Sequence, residues 1–452
     1  MNIIIVGCGK VGSTLTEQLS KEDNSICVID QNSDVVHYLT SEYDVMGMVG
    51  NGSSYSVLAE AGIEDADLLI AVTESDELNL LCCVIARKAG KCQTIARVRN
   101  PVYSEERKFL QQELGLSMII NPEFTAAVEI SHLLCFPNAL GIDTFSRGRA
   151  EMLRFRIPQN SILHNLALKD FSSTFHCDVL ICAVDRDNQV YIPSGDFVLK
   201  SGDIISIISA RQNAVEFFRK IRIKTTQVKN TMIIGGGKIA IYLTKILTKL
   251  GISVKIIEQD LKRCEILSET LPDATIIHGD GSKENVLMEE RIDQMDSFIA
   301  MTNFDEENIL LSLFAKKKVR SKVVTKINRL QLNEVIHNLD LDSVVYPKHL
   351  TAHRILQYVR ATKNSIGSNV QTLYRMYDDR VEALEFNIHE NPRLTGIPLA
   401  KLNLKSDLLI CCITRDDKVI IPGGQDKILP GDTVIVVTTR LGLQDAQDII
   451  QN

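Results

Sequence analysis

Val6-Gly7-Cys8-Gly9-Lys10-Val11-Gly12 closes the apolar run that begins at Met1 and opens a segment with helical spacing of apolar residues. A GxGxxG triplet alone is weak evidence, because glycine-rich turns are common, and its context decides the reading. Here the turn follows a strand-like run and precedes a helix, and Asp30 ends the next apolar run 23 residues after Gly7. That order predicts a doubly wound parallel sheet whose first turn cradles a dinucleotide. Gly7 permits the tight turn, Gly9 lets a pyrophosphate approach the backbone, and Gly12 allows the helix to pack closely on the strand. The helix N-terminus favours phosphate, with Cys8, Lys10 and Val11 completing the loop. Asp30 suits the adenosine ribose hydroxyls and repels a 2′-phosphate, so NAD or an adenine nucleotide is expected before NADP.

The same pattern returns. Ile234 to Ala240 reads IGGGKIA, displaced by 228 residues from VGCGKVG, and Glu258 keeps that offset from Asp30. From there the offset is 229: VGNGS at Val49 matches HGDGS at His278, and AVTESDELNLL at Ala71 matches AMTNFDEENIL at Ala300. LICAVDRDNQVYIPSG at Leu180 matches LICCITRDDKVIIPGG at Leu409 at the same 229. A drift of one residue over so many landmarks marks a duplication, with copies too long to be solenoid units. At about 150 residues per domain the length suggests three domains; the repeat instead divides 452 residues into two modules.

Each module changes character midway. Its front half alternates short apolar runs with helix-length segments, the pattern of a parallel α/β sheet. Its back half has closely spaced strands with turn signals such as Asp187-Asn188, the pattern of a small α+β lobe. Between them, NPEFTAAVEISHLL and YPKHLTAHRILQYV start just after a proline and carry helical spacing, as crossover helices would. The expected fold class is therefore α/β, two tandem Rossmann-like doubly wound sheets, each followed by a small α+β lobe. The expected boundaries are 1–122, 123–141 and 142–226 for the first Rossmann lobe, crossover and small lobe, then 228–347, 348–369 and 370–452 for the second set.

Further paired residues fall where strand ends should face the crevice. In the second turn these are Gly235, Gly236, Gly237, Lys238 and Ile239, with Ala240 as the small third residue and Glu258 as the acid. Asn51 with Gly52, and Asp280, sit in glycine-flanked turns suited to adenine or ribose. Thr73, with Glu74 beside it, and Thr302 end the fourth strands. Arg97 follows the fifth strand as a phosphate partner, and Lys326 replaces it, keeping the charge but losing the bidentate fork. Lys10 and Lys238 point to a terminal phosphate. The simpler roles for Thr73 and Asn51 are caps of helices or turns.

No catalytic set accompanies these sites. None of the 9 histidines recurs in both copies, and His349 and His353, spaced as two ligands on one helical face, lack a third ligand. Asp76/Asp305 and Glu77/Glu306 read as solvated carboxylates at helix N-termini, the alternative being a Mg²⁺ or Ca²⁺ bridging nucleotide phosphate. No metal site is assigned. The 11 cysteines include no CxxC and read as small buried hydrophobes in a reducing compartment. With 45% hydrophobic and 24% charged residues and a net charge of −7, the chain reads as a soluble globular protein without a broad nucleic-acid-binding face. The opening MNIIIVGCGK has neither the basic leader nor the long apolar run of a signal peptide, so secretion is not expected.

VGCGKVG with Asp30, GNGS, AVTESDELN and ARVRNP, followed by IGGGKIA with Glu258, GDGS, AMTNFDEEN and RDDKVIIPGG with LPGD, resemble the tandem RCK (also called KTN) family of cytosolic regulators of bacterial Trk-type potassium uptake. The resemblance spans essentially the whole chain; Ala240, Lys326 and Asn328 in copy two and Asn51 in copy one depart from it. It implies a non-enzymatic, nucleotide-binding regulatory subunit, peripheral on the inner face of the cell membrane. The implied ligands are NAD(H) and ATP or ADP. The implied partners are a TrkH/TrkG-like potassium-translocating subunit and further copies of the chain in a homo-oligomeric, tetrameric ring, with no nucleic acid. The crossover segments Phe124–Leu134 and Leu350–Val359 are then the candidates for the moving contact. An NAD-dependent oxidoreductase with a duplicated Rossmann fold is the rival reading.

Overall fold

Ile3, Ile4, Ile5 and Val6 are all buried, so the first strand, β1 (Asn2–Val6), has no solvent face. Burial on both faces is what a central parallel strand demands, and continuous β-branched runs satisfy it. After β1 come β2 (Ser25–Asp30), β3 (Met46–Val49), β4 (Leu68–Ala71), β5 (Gln93–Arg97) and β6 (Met118–Ile120). They form a parallel sheet in the order β3-β2-β1-β4-β5-β6, with the order reversing between β1 and β4. Such a reversal opens a crevice at the C-terminal strand ends, where the glycine turn lies.

The next five strands are β7 (Gly141–Phe145), β8 (Ala150–Arg156), β9 (Val179–Arg186), β10 (Gln189–Tyr191) and β11 (Ile204–Ala210). They form an antiparallel sheet ordered β10-β9-β11-β8-β7. Copy two repeats both designs. β12 (Asn230–Ile234), β13 (Ser253–Glu258), β14 (Thr275–His278), β15 (Ser297–Ala300), β16 (Lys322–Lys326) and β17 (Ser343–Val345) assemble as β14-β13-β12-β15-β16-β17. β18 (Val370–Met376), β19 (Val381–Asn387), β20 (Leu408–Arg415), β21 (Lys418–Ile420) and β22 (Thr433–Thr438) assemble as β18-β19-β22-β20-β21. The fold is thus two Rossmann-like parallel sheets and two antiparallel ones, as the sequence pattern predicts.

This computed structural model describes residues 1–452 except 23, 137–138, 146–148, 188, 222–227, 329–335, 337–338, 366–369, 378–379, 392, 417, 444 and 452. Asn188 of the expected turn, and the expected boundary stretches 222–226 and 366–369, lie outside the described residues.

The chain is organised differently in space than along its length. One compact unit comprises Met1–Ser131, Lys229–Val319 and Val323–Leu356, and holds both Rossmann-like sheets. The other comprises His132–Val228, Arg320–Lys322 and Gln357–Asn452, and holds both antiparallel sheets. Within the first unit, Tyr242 ties the two copies together: its hydroxyl accepts from Asn121 Nδ2 at 3.0 Å and donates to the Arg99 carbonyl at 3.3 Å. The Phe124 ring packs edge-on against Tyr242, with 5.7 Å between centroids. Within the second unit, Phe145, Met152, Cys182 and Ile208 share one core with Met376, Val381, Cys411 and Val437. There Ser206 Oγ and the Tyr377 hydroxyl hydrogen-bond at 2.7 Å, and Arg154 lies over the Tyr377 ring.

The crossover helices run from Pro122 to Cys135 and from Pro347 to Ser365. Each begins at its proline, whose missing N–H costs nothing at that position. No helix among the described residues is long and apolar enough to cross a membrane.

One ion pair is repeated in the second unit. Arg186 Nε and Nη2 donate to the two carboxylate oxygens of Asp203 at 2.8 and 2.7 Å, and Arg415 does the same to Asp432 at 2.8 and 2.7 Å. Asp203 is buried and also accepts the Lys200 N–H at 2.8 Å, so it orients the turn before β11. Replacing Asp203 by Ala strands a guanidinium and a backbone N–H together. We expect a loss on the order of 3 kcal/mol, read as a lower urea midpoint with unchanged slope.

Candidate nucleotide site

Gly7 adopts φ +94°, and a Cβ there would lie 2.7 Å from the Thr73 nitrogen, so the turn needs glycine for both conformation and space. A Cβ on Gly12 would collide with the Gly7 carbonyl. Gly12 therefore lets the helix Lys10–Ser20 sit on the turn, and it does not line the cavity described below. At Gly9 and Gly237 a Cβ would meet nothing within 4 Å, so the room belongs to whatever enters. The helix Lys10–Ser20 makes its first internal bond from Ser13 N–H to the Gly9 carbonyl. The N–H groups of Lys10, Val11 and Gly12 are left as the orphan donors of a helix start. The second turn matches, with Ile241 N–H bonding to the Gly237 carbonyl.

The acids hold these turns. Asp30 Oδ2 accepts the Cys8 N–H at 2.6 Å and Oδ1 accepts the Asn32 N–H at 2.9 Å. Glu258 repeats the bond, accepting the Gly236 N–H at 2.7 Å and the Asp260 N–H at 3.0 Å. Arg263 Nε adds a bond to the Gly236 carbonyl at 2.8 Å, which copy one lacks because Val35 stands there. Cys8 contributes backbone only: burial and the neighbouring Asp30 push its thiol up to about 12.

The two crevices open into one cavity of about 1250 Å³, lined by both copies. Its wall includes Gly7, Cys8, Gly9, Lys10, Val11, Asp30, Asn51, Gly52, Thr73, Glu74 and Arg97 from copy one. From copy two come Gly235, Gly236, Gly237, Lys238, Ile239, Glu258, Asp280, Thr302 and Lys326. Of the glycine-turn residues singled out from the sequence, Gly12 and its counterpart Ala240 stand outside the wall.

Lining the wall does not leave every group free. Thr73 donates from N and Oγ1 to Asn79 Oδ1 at 2.8 and 2.7 Å, and Thr302 N donates to Asn308 Oδ1 at 2.8 Å. Asn51 Oδ1 and Asp280 Oδ1 accept the N–H and hydroxyl of Ser53 and Ser282, shaping Asx turns. The Ser282 bonds hold the Asp280 carboxyl below its ordinary pKa. Arg97 is half-buried with Nε unpartnered among the described residues, and burial, reinforced by Arg99, lowers its pKa. Lys326 is buried, bonds the Met301 carbonyl at 3.1 Å, and is likewise shifted down by burial.

One expectation is corrected. Asp76 and Asp305 are not solvated: each is 8% exposed. Asp76 Oδ2 accepts the N–H groups of Arg99 at 2.9 Å and Asn100 at 2.7 Å, and Asp305 Oδ1 accepts that of Asn328 at 2.9 Å. These carboxylates position the loops after β5 and β16. Among the described residues no group of three or more His, Cys, Asp or Glu side chains could hold a metal ion.

Cavity residues that escaped the sequence reading include Arg99, Glu123, Arg263 and Lys348. So did Asn79 and Asn308, fully buried behind the wall. Asn79 Nδ2 donates to the carbonyls of Thr73 at 3.1 Å and Arg97 at 2.8 Å, joining the ends of β4 and β5. Asn308 does the same for Thr302 and Lys326. The signal was present, as the asparagine shared by TESDELN and TNFDEEN.

The family comparison fits this architecture. The TrkA-N domain model matches residues 3–122 and 231–347, and the TrkA-C domain model matches 152–222 and 383–451. The chain belongs to the TrkA family of potassium uptake proteins. It is 32% identical to the Trk system potassium uptake protein TrkA of Haemophilus influenzae, covering 96% of this chain and 95% of the relative. It is also 32% identical to a TrkA homolog of Archaeoglobus fulgidus, over 100% of both. Among solved structures it resembles the GsuK channel bound to NAD, with TM-score 0.64 and 17% identity over 97% of this chain and 76% of that one. The fold also matches GsuK bound to ADP, with TM-score 0.50 and 16% identity over 80% and 69%.

Asn79→Ala should unpair buried groups at two strand ends and cost about 2 kcal/mol. A thermal melt would show the loss, and Asn308→Ala should behave alike.

Proposed function

We propose that this chain is the nucleotide-sensing regulatory subunit of a Trk-type potassium transporter, binding NAD(H) and ADP or ATP in the shared cavity. The observation that carries the reading is the pair of acid-pinned glycine turns, each at a helix start, opening into one cavity whose wall includes Lys10, Arg97, Lys238 and Lys326. In each turn the N–H donors and the helix dipole receive phosphate, and the carboxylate receives ribose hydroxyls through its remaining lone pairs. Lys10, Arg97, Lys238 and Lys326 supply the positive field. The NAD- and ADP-bound GsuK structures support this choice of ligands by their shared fold.

The proposed readout is mechanical. A nucleotide changes the arrangement of the chain only as far as it binds one arrangement better than another. The helices Pro122–Cys135 and Pro347–Ser365 lead from the cavity wall into the rest of the chain and are the proposed transmitters. The output is a change in a TrkH/TrkG-like membrane subunit, met at the cytoplasmic face by a homo-oligomeric, tetrameric ring of these chains. In this reading nucleotides are ligands and no chemistry is performed on them. The domain boundaries expected from the sequence, with lobes at 1–122, 142–226, 228–347 and 370–452, are part of the same proposal.

Calorimetry with NAD, NADH, ADP and ATP should give saturable binding, and NADH absorbance should stay constant with the protein present. Asp30→Ala should weaken binding in the first crevice, and Glu258→Ala in the second, each by about tenfold, the worth of one charge-assisted hydrogen bond. Absence of binding, or sustained NADH oxidation, would overturn the reading.

A further inference from the structure

The two copies differ most where each crossover helix enters the cavity. Each helix places the residue after its initial proline in the wall, and that residue is Glu123 in copy one and Lys348 in copy two. The flanking residues show which turn each one serves. Asn121 and Phe124, on either side of Glu123, contact Tyr242, one helical turn after Lys238, so Glu123 stands at the second glycine turn. Lys348 lies beside Lys10, which belongs to the first turn.

The two residues carry opposite charges: Glu123 stands among cations, Lys348 beside two further lysines. Glu123 Oε1 accepts from Arg99 Nε at 2.7 Å, so that guanidinium is already paired, and Glu123 also faces Arg97 and Lys326. Glu123 Oε2 is buried with no partner among the described residues, an acceptor that would repel a phosphate and welcome a hydroxyl. At the other end Lys348 Nζ donates to the Asn328 carbonyl at 2.9 Å. It has Lys10 and Lys326 as like-charged neighbours, and the buried Asp305 offsets them in part. Burial first, then Lys10, pushes the Lys348 ammonium down to about 8. Two ammonium groups that face each other in a cavity wall are stabilised by an anion between them.

Resting on the nucleotide-binding reading above, we infer that the crevices select ligands by charge. The first takes a nucleoside di- or triphosphate whose terminal phosphate sits between Lys10 and Lys348. The second takes a dinucleotide, whose phosphates are internal diesters and whose hydroxyls suit Glu123. Lys348 is the specificity-determining residue, because it brings a cation of copy two to the turn of copy one. A terminal phosphate monoester carries more charge than a diester and can accept from both ammonium groups at once.

The test is calorimetry on the full chain with ADP and NAD as probes, at pH 8, for wild type, Lys348→Gln and Lys348→Arg. Lys348→Gln should weaken ADP by about tenfold, the loss of one charge-assisted bond, and leave NAD unchanged. Lys348→Arg should retain ADP, which separates charge from folding. Wild-type ADP binding should also take up protons, seen as a binding heat that varies with the ionisation enthalpy of the buffer, because a phosphate holds Lys348 in its ammonium form. Lys348→Gln should abolish that dependence. Unchanged ADP affinity in Lys348→Gln, or equal loss of ADP and NAD, would overturn the inference while leaving nucleotide binding intact. No binding by the wild type would instead sink the reading beneath it.

Discussion

Each Rossmann-like sheet depends on a carboxylate at the end of its second strand that captures the second N–H of the glycine turn. Asp30 reaches Cys8 at 2.6 Å and Glu258 reaches Gly236 at 2.7 Å, equivalent positions in the two copies. The bond fastens the turn to the strand edge, which fixes where the following helix starts and where its orphan N–H groups stand. Each acid's other oxygen accepts the N–H two residues further on, so the carboxylate is oriented before a ligand arrives. Preorganisation of this kind reduces what binding must spend on ordering the site. The longer glutamate makes the same bond as the aspartate, and the second turn is further gripped through its carbonyl by Arg263.

This dependence explains why much of the fold could be read from the sequence. Glycine spacing, the acid 23 residues on and the apolar strand runs are local signals with local causes, and duplication lets each copy check the other. The strand order, the crossover helices at Pro122 and Pro347, and the glycine turns follow from them. What was not legible depends on partners far apart in the chain. Nothing near Tyr242 announces Asn121, 121 residues earlier, yet that bond helps bring two crevices onto one cavity. Asp76 looked solvated because helix N-terminal acids usually are. It is buried because the loop at Arg99 and Asn100 folds back to give it two N–H donors.

The pairing of like lobes with like has a further consequence for asymmetry. The repeated backbones give both crevices the same turn, a carboxylate at the same place and the same asparagine brace, so differences in what they bind come from side chains, within the motifs as at Arg97 and Lys326 and outside them. Outside them, Glu123 and Lys348 sit at the crossover helices. One junction is joined by Tyr242, Asn121 and Phe124 and holds the Arg99–Glu123 pair. The other sets Lys348 against Lys10 and has Thr14 where Tyr242 stands in the repeat.

Two junctions of unequal character suit a sensor better than two equal ones. A ligand that binds both arrangements of a protein equally shifts nothing, however tightly it binds. The Tyr242 junction is held by hydrogen bonds to Asn121 and the Arg99 carbonyl, so a ligand there adds contacts to copies that are already joined. The lysine junction has like charges opposed, and an anion between them turns a repulsion into two attractions. Under the proposed function its occupancy therefore carries the larger difference between two arrangements of the chain, and about 1.4 kcal/mol of such difference is a tenfold bias. Under the same proposal the conformational response belongs at the wall around Lys348, where like charges stand together.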